Sequence, residues 1–307
     1  HYKMKEVVLI TGANGVLANY LAEELESNYS IRFLTRKVNE SNQFLWDLTN
    51  NYIDPKAFKN VNHIIHLAGS SIADNRWTEK IKQMIYSSRV DSSQLILEVL
   101  KKNNQTIDTF ISASAIGYYG MNTTDTILNE ESPNGTDFLS DVCNKWEGVA
   151  HSFSSENVVN RMSIVRIGII FTPNEGALKK IIQPINLGLG SGIGSGNQWM
   201  PWIHISDLCG IFKFLLAHNE ISGTFNAVSS EHTTNIELTR KIAKVLKRKI
   251  ILPNIPKFVM KLIFGEMSVI LLKGSRVSSD KIIKKGFNFK YENLNMALRN
   301  ILKTDNK

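Results

Sequence analysis

Apolar residues fall in short blocks along the first half of the chain, separated by stretches with helical spacing. Val7-Val8-Leu9-Ile10 is a continuous apolar run of strand length, and Ile31 to Thr35, Val61 to Leu67, Thr109 to Ala113 and Met162 to Phe171 read the same way. Between them apolar positions recur every three to four residues. The spacing predicts helices from about Val16 to Ser27, from about Trp77 to Lys102 (with Ile81, Ile85, Val90, Leu95 and Val99 on its apolar side), and from about Phe138 to Ser154. Strands alternating with helices predict a doubly wound parallel α/β sheet with right-handed crossovers. The second half has a different texture. Gly188, Gly190, Gly192, Gly194 and Gly196 alternate through Leu187 to Asn197 and lead into Trp199, Met200 and Trp202. Such aromatic flanks predict an ordered, docked loop rather than a linker. Beyond Thr234 the pattern is mostly helical.

The first strand and helix are joined by Thr11-Gly12-Ala13-Asn14-Gly15-Val16-Leu17-Ala18, a G-x-x-G-x-x-A loop. Glycines at the bends let backbone N–H groups and a helix N-terminus meet a pyrophosphate, and Ala18 permits close packing of helix on strand. This predicts a Rossmann-type dinucleotide-binding domain over residues 1–172, with some sheet returning within 200–230. A smaller, mostly helical substrate-facing part over 173–307 follows, ending in a basic domain at about 250–303. The second strand ends in Thr35-Arg36-Lys37 with no acid. A carboxylate there would bond the ribose hydroxyl of NAD, whereas a guanidinium suits the 2′-phosphate of NADP. The expected cofactor is therefore NADP(H), with Arg36 on the phosphate and Thr35 beside it. Asp47 stands where such folds contact adenine. Leu67, Ala68 and Gly69 end a strand whose backbone lines the cofactor.

Composition narrows this picture little. At 307 residues, 43% hydrophobic and 21% charged, the chain is an ordinary globular protein. No apolar stretch approaches the roughly 20 residues of a membrane span, and no membrane partner is expected. No signal peptide precedes the first strand. Met4 is the expected natural start, behind His1 to Lys3. Cys143 and Cys209 form no metal or redox spacing, which predicts reduced thiols in a cytoplasmic protein and no metal site. Charge is uneven: from Arg240 on there are 17 Lys and Arg against 4 Asp and Glu, and before it 19 against 24. No nucleic-acid motif accompanies the basic segment, so a nucleic-acid partner is not expected.

Four further segments carry a resemblance: Ser88-Arg89-Val90; Ser112-Ala113-Ser114-Ala115-Ile116-Gly117-Tyr118-Tyr119-Gly120; Pro201-Trp202-Ile203-His204-Ile205 with Asp207; and Gly274-Ser275-Arg276-Val277 with Gly286-Phe287. With the glycine loop they make the chain resemble the extended short-chain dehydrogenases/reductases. More narrowly, it resembles their atypical "epimerase family protein" branch, whose small C-terminal domain has no assigned function. The resemblance implies a place among nucleoside-diphosphate-sugar epimerases, and it adds Ser112 and Ala113 to the cofactor-lining residues. Members are also named as cell-division inhibitors, and their substrates are largely unassigned.

The superfamily uses a Ser with a Tyr-x-x-x-Lys on the next helix, one turn apart on one face. Ser114 matches the Ser. On the helix, Asp141 stands four residues before Lys145. Aligning on Glu147 instead puts Leu139 and Cys143 in the two places. The dyad is absent either way, so a proton donor must come from elsewhere. Tyr118, Tyr119 and His204 are the candidates. Cys143 lacks an adjacent base and is a poor nucleophile. Arg89 and Trp202 are candidate substrate contacts. Arg166 is as consistent with structure as with ligand binding. Three readings follow: an oxidoreductase or epimerase acting on a sugar nucleotide or carbonyl compound, a non-catalytic NADP(H)-binding redox sensor, and a nucleic-acid or membrane-surface protein that rests on charge alone. Flanking helices of such sheets often pair, so a homodimer is one assembly the sequence allows.

Overall fold

The computed structural model describes residues 4–303, and the expectation about His1 to Lys3 lies outside them. The first half runs β1 (Val7–Thr11), α1 (Val16–Leu25), β2 (Ser30–Thr35), β3 (Gln43–Asp47), β4 (Tyr52–Ile53), β5 (His63–His66), α2 (Glu79–Ser87), α3 (Val90–Lys102), β6 (Ile107–Ala115), β7 (Ile127–Leu128) and α4 (Phe138–Ser155). The second runs β8 (Val159–Ile167), β9 (Ile169–Phe171), α5 (Gly176–Asn186), β10 (Trp202–His204), α6 (Ile205–Ala217), β11 (Gly223–Ala227) and α7 (Asn235–Val245). It ends with α8 (Lys257–Phe264), α9 (Val269–Leu272), β12 (Arg276–Val277), α10 (Asp280–Lys284) and α11 (Leu294–Lys303).

Eight strands form one sheet in the order β11-β8-β6-β5-β1-β2-β3-β4. All neighbours are parallel except β4, which runs antiparallel to β3. The chain winds outward from β1 to β3, then returns and winds the other way from β5. The reversal falls between β1 and β5, where such sheets open a crevice beyond their carboxyl ends. Side chains of β1 alternate: Val8 and Ile10 join the core under α1 and α6, while Leu9 joins the core under α3 and α4. Phe110 of β6 stacks on Phe153 of α4 with ring centroids 3.7 Å apart.

Several elements differ from the sequence expectation. The helix expected from Trp77 to Lys102 is two helices. At the break Ser88 Oγ accepts from Ser70 N–H (2.9 Å), and the Arg89 guanidinium donates to the carbonyls of Ile85 (3.1 Å) and Ser70 (2.9 Å). Apolar spacing continues through the break, so periodicity does not reveal it. The strand expected over Met162 to Phe171 splits at Gly168, where a Cβ would lie 2.6 Å from the Pro201 carbonyl oxygen. Beyond it β9 leaves the main sheet to pair with β10. β11 returns beside β8, as the sequence allowed, and α6 returns with it.

The glycine-rich loop is docked: Ile193 N–H donates to Asn235 Oδ1 (2.9 Å), and Gln198 Nε2 bonds the carbonyls of Ile193 (3.0 Å) and Leu271 (2.8 Å). The C-terminal part shares its core with the rest. α7 and α11 close around Phe171 and Trp202. Phe264, Met267 and Val269 lie on Trp77 and Leu139. β12 pairs with β7.

Candidate functional site

The loop after β1 sits at the reversal point. Gly12 has φ +79°, and a Cβ there would stand 3.2 Å from Ala68 N and from the Leu67 carbonyl. Both facts demand glycine. Gly15 N–H closes a turn on the Gly12 carbonyl at 2.7 Å and then caps α1 without a side-chain partner. The first-turn N–H groups of α1 thus have no side-chain cap. Thr11 ties this loop to the next one. Its hydroxyl oxygen accepts from Leu67 N–H (2.9 Å) and Ala68 N–H (3.0 Å) and meets His66 Nδ1 at 2.8 Å. Burial pushes the His66 pKa down to about 4, so the ring is neutral.

At the end of β2 the Thr35 hydroxyl closes a turn with Lys37, accepting from its N–H (3.3 Å) and donating to its carbonyl (3.1 Å). Arg36 is exposed and has no hydrogen bond or ion pair to any described residue. Asp47 spends its carboxylate on the turn that follows, accepting from Thr49 N–H (2.9 Å) and Asn50 Nδ2 (2.7 Å). Those bonds, Asn50 first, hold its pKa below the usual carboxylate value. Asn14 is exposed and Ala68 is buried, while Ser112 and Ala113 are buried at the end of β6. The structure thus aligns Gly12, Arg36, Leu67 to Gly69 and Ser112 along one carboxyl edge.

Beyond that edge lies a buried polar network. Ser114, Arg166 and Asn226 occupy one register across β6, β8 and β11. The Ser114 hydroxyl donates to Glu147 Oε1 at 2.6 Å. Arg166 clamps both Glu147 oxygens at 2.8 Å. Its third nitrogen reaches the Tyr119 hydroxyl (3.0 Å), which donates to Asn226 Oδ1 (2.6 Å). Burial pulls the Arg166 pKa down, but its bonds to Glu147 outweigh burial and hold it above the ordinary value. Burial pushes the Tyr119 phenol up to about 12. The Tyr118 ring lies on the Arg166 guanidinium, 3.5 Å from its centre. Tyr118 is half-buried, and its hydroxyl bonds no described residue.

Leu139, Cys143 and Glu147 form one stripe of α4, each a turn from the next. Gly117, just after β6, lies against the first two: a Cβ there would be 3.5 Å from Leu139 Cβ and 3.9 Å from Cys143 Sγ. Burial, then the Glu147 charge, push the Cys143 thiol up to about 12. It is a poor nucleophile and a poor acid.

The other candidates are placed elsewhere. Arg89 packs its guanidinium against Gly69, where a Cβ would lie 2.9 Å from Cζ, and it pins the loop after β5 to α2. Trp202 is fully buried and stacks on Phe171, so it does not reach a ligand. His204 caps α6: Nδ1 accepts from Ser206 N–H (3.0 Å), and Nε2 donates to Asn300 Oδ1 (3.0 Å). It also stacks on Tyr291. Both nitrogens are committed to fastening α11, which removes His204 from the acid/base candidates. Sequence reasoning missed Glu147 as a partner of Ser114. The sequence does place Glu147 one turn beyond Cys143, but it gives no sign of Asn226. Among the described residues no cluster of three or more His, Cys, Asp or Glu is placed to hold a metal.

Comparison with known proteins agrees with this layout. Residues 8–228 match the NAD dependent epimerase/dehydratase family, and residues 255–301 match a domain of unknown function, DUF1731. An epimerase family protein of Staphylococcus aureus (strain NCTC 8325 / PS 47) is 34% identical over 306 residues, covering 96% of this chain and 98% of its own length. The epimerase family protein SDR39U1 homolog, chloroplastic, of Arabidopsis thaliana is 31% identical, covering 96% of this chain and 86% of its own length. Among solved structures, human epimerase family protein SDR39U1 (isoform2) with NADPH superposes with a TM-score of 0.86 at 28% identity. That match covers 97% of this chain and 99% of the human one.

Proposed function

The chain belongs to the NAD dependent epimerase/dehydratase family, and from that membership and the site geometry we propose that it binds NADP(H) and acts as an oxidoreductase or epimerase. The observation that carries the cofactor is the pairing of a glycine cradle with an unpartnered Arg36 one strand away. A Cβ at Gly12 would fill the cradle, and no side chain caps α1. Gly12, Asn14, Gly15 and Val16 hold the pyrophosphate, Arg36 the 2′-phosphate beside the Thr35 turn, and Leu67 to Gly69 with Ser112 and Ala113 line the remainder. Asp47 shapes the adenine end through its turn. The human SDR39U1 structure with NADPH supports this choice of cofactor. The bound nicotinamide supplies hydride chemistry.

At the reacting end, Ser114 has one proton and gives it to Glu147. Toward a ligand it therefore presents only lone pairs. It orients a substrate hydroxyl by accepting from it. Tyr118 carries the mobile proton, because its hydroxyl alone in this group is uncommitted. The Arg166 guanidinium under its ring fixes where that hydroxyl stands. Tyr119 is a positioning residue that holds Arg166. A sugar nucleotide or a carbonyl compound is the substrate class, and the protein works in the cytoplasm.

The absence of a Tyr-x-x-x-Lys pair from α4 in either alignment favours a second reading: a protein that binds NADP(H) and reports redox state to a partner. One experiment separates the two. NADPH deuterated at C4 is incubated with the protein and a panel of sugar nucleotides and carbonyl compounds. Label transfer that Tyr118→Phe abolishes supports the enzyme. Tight NADPH binding with no transfer supports the sensor. Equal affinity for NADPH and NADH would overturn the cofactor assignment.

A further inference from the structure

From Leu238 to Gly265 the chain holds eight Lys and Arg and no Asp or Glu. Of these, Lys241 is paired with Glu231 at 2.6 Å. Lys244, Lys247, Arg248, Lys249, Lys257 and Lys261 are exposed and make no ion pair with any described residue. The same segment carries large apolar side chains that the fold leaves uncovered: Ile251 is 76% exposed, Leu252 41%, Phe258 71% and Leu262 76%. Phe258 and Leu262 are one turn apart on α8, and Lys257 and Lys261 run beside them. Ile250, the neighbour of Ile251, meets the end of the α5 loop, where a Cβ on Gly190 would lie 2.8 Å from Ile250 Cδ1. That loop adds Leu187 and Leu189, 76% and 58% exposed. Only Met260 of α8 is buried.

We propose that this face, residues 247–252 and the outer side of α8, attaches the protein to the surface of an anionic lipid bilayer. Apolar tips flanked by unpaired cations suit the boundary of an acidic membrane: the aliphatic groups enter the acyl edge and the ammonium groups meet the headgroup charge. A nucleic acid would use the cations and leave Ile251, Phe258 and Leu262 in water. A second copy of the same face would set like charges against each other. No helix among the described residues is long and apolar enough to cross a membrane, so the attachment is peripheral. The inner end of the same segment, Phe264 and Met267, rests on Trp77 and Leu139, which places the attachment beside the proposed site without using its residues.

The test is co-sedimentation of the whole protein with vesicles of phosphatidylcholine alone, or of phosphatidylcholine mixed with phosphatidylglycerol. Binding is expected to the acidic vesicles only, falling by roughly tenfold or more in Phe258→Glu/Leu262→Glu and weakening in Lys257→Glu/Lys261→Glu and at high salt. Retained NADPH binding shows that the variants are folded. Four results would overturn the proposal. One is no binding to acidic vesicles. Another is binding that Phe258→Glu/Leu262→Glu leaves intact. The third is a vesicle-free dimer that the same variant dissociates, which would make the occupant a second copy. The fourth is tighter retention on duplex DNA than on acidic vesicles.

Discussion

Ser114 and Glu147 are 33 residues apart in the chain, yet the serine hydroxyl donates to the carboxylate at 2.6 Å. The carboxylate is held in turn by both arms of Arg166. A buried pair is strongly destabilised when one member is removed, because the other is left as an unpaired buried charge. Glu147→Ala is therefore expected to cost about 3–5 kcal/mol in denaturant unfolding. Glu147→Leu combined with Arg166→Met should recover most of that loss while leaving Ser114 free to donate.

Arg36 has no hydrogen bond or ion pair among the described residues, so its removal is expected to leave the fold untouched. Arg36→Ala is expected to weaken NADPH binding by about 10- to 100-fold, the worth of a charge-assisted contact to phosphate. NADH affinity should stay the same. Fluorescence titration with both nucleotides checks this, and equal losses for the two would count against the phosphate assignment.

The Thr11 hydroxyl holds the loop after β5 through the N–H groups of Leu67 and Ala68. Thr11→Val keeps the shape and strands one buried donor, Ala68 N–H, and one part-buried donor, Leu67 N–H. A destabilisation of about 1–3 kcal/mol is expected in thermal unfolding, together with weaker NADPH binding as the loop loosens. A stable variant with unchanged affinity would show that the loop is fixed by its neighbours alone.

His66 sets a pH dependence. Its folded pKa, about 4, lies below the ordinary value of 6.5 because burial disfavours the cation. Between those values the unfolded chain binds the proton and the folded one does not. Stability thus falls as pH drops from 6.5 toward 4 and levels off below. A shallower fall in His66→Gln, measured by melting across that window, checks the assignment.

Asp207 accepts from the N–H groups of Lys290 (2.7 Å) and Tyr291 (2.9 Å), and His204 bonds Asn300. Asp207→Ala should release this strap. Hydrogen exchange is expected to speed up in α11 while NADPH affinity holds. Unchanged exchange would mean that Leu294, Ala297 and Leu298 anchor the strap by burial alone.

Much of the cofactor half was legible because it depends on local rules. A glycine loop between a strand and a helix, and a basic turn after the next strand, each lie within a few consecutive residues. His204 and Trp202 were misread for the opposite reason. Their sequence neighbourhood is right for a site, but their partners, Asn300 and Phe171, come from distant segments and absorb them. The break at Ser88 was hidden because apolar spacing runs through it.

The sequence by itself determined the alternation of strands and helices, the glycine loop between β1 and α1 and the absence of a Tyr-x-x-x-Lys pair from α4, since each follows from composition and spacing along the chain. Only the tertiary structure decided what fills that absence. Ser114, Glu147, Arg166 and Asn226 come from three strands and a helix, and they are brought together by sheet register and burial. A hydroxyl becomes a pure acceptor only when a specific carboxylate takes its proton. Likewise, basic charge becomes a docking face only when the fold leaves Phe258 and Leu262 uncovered beside it.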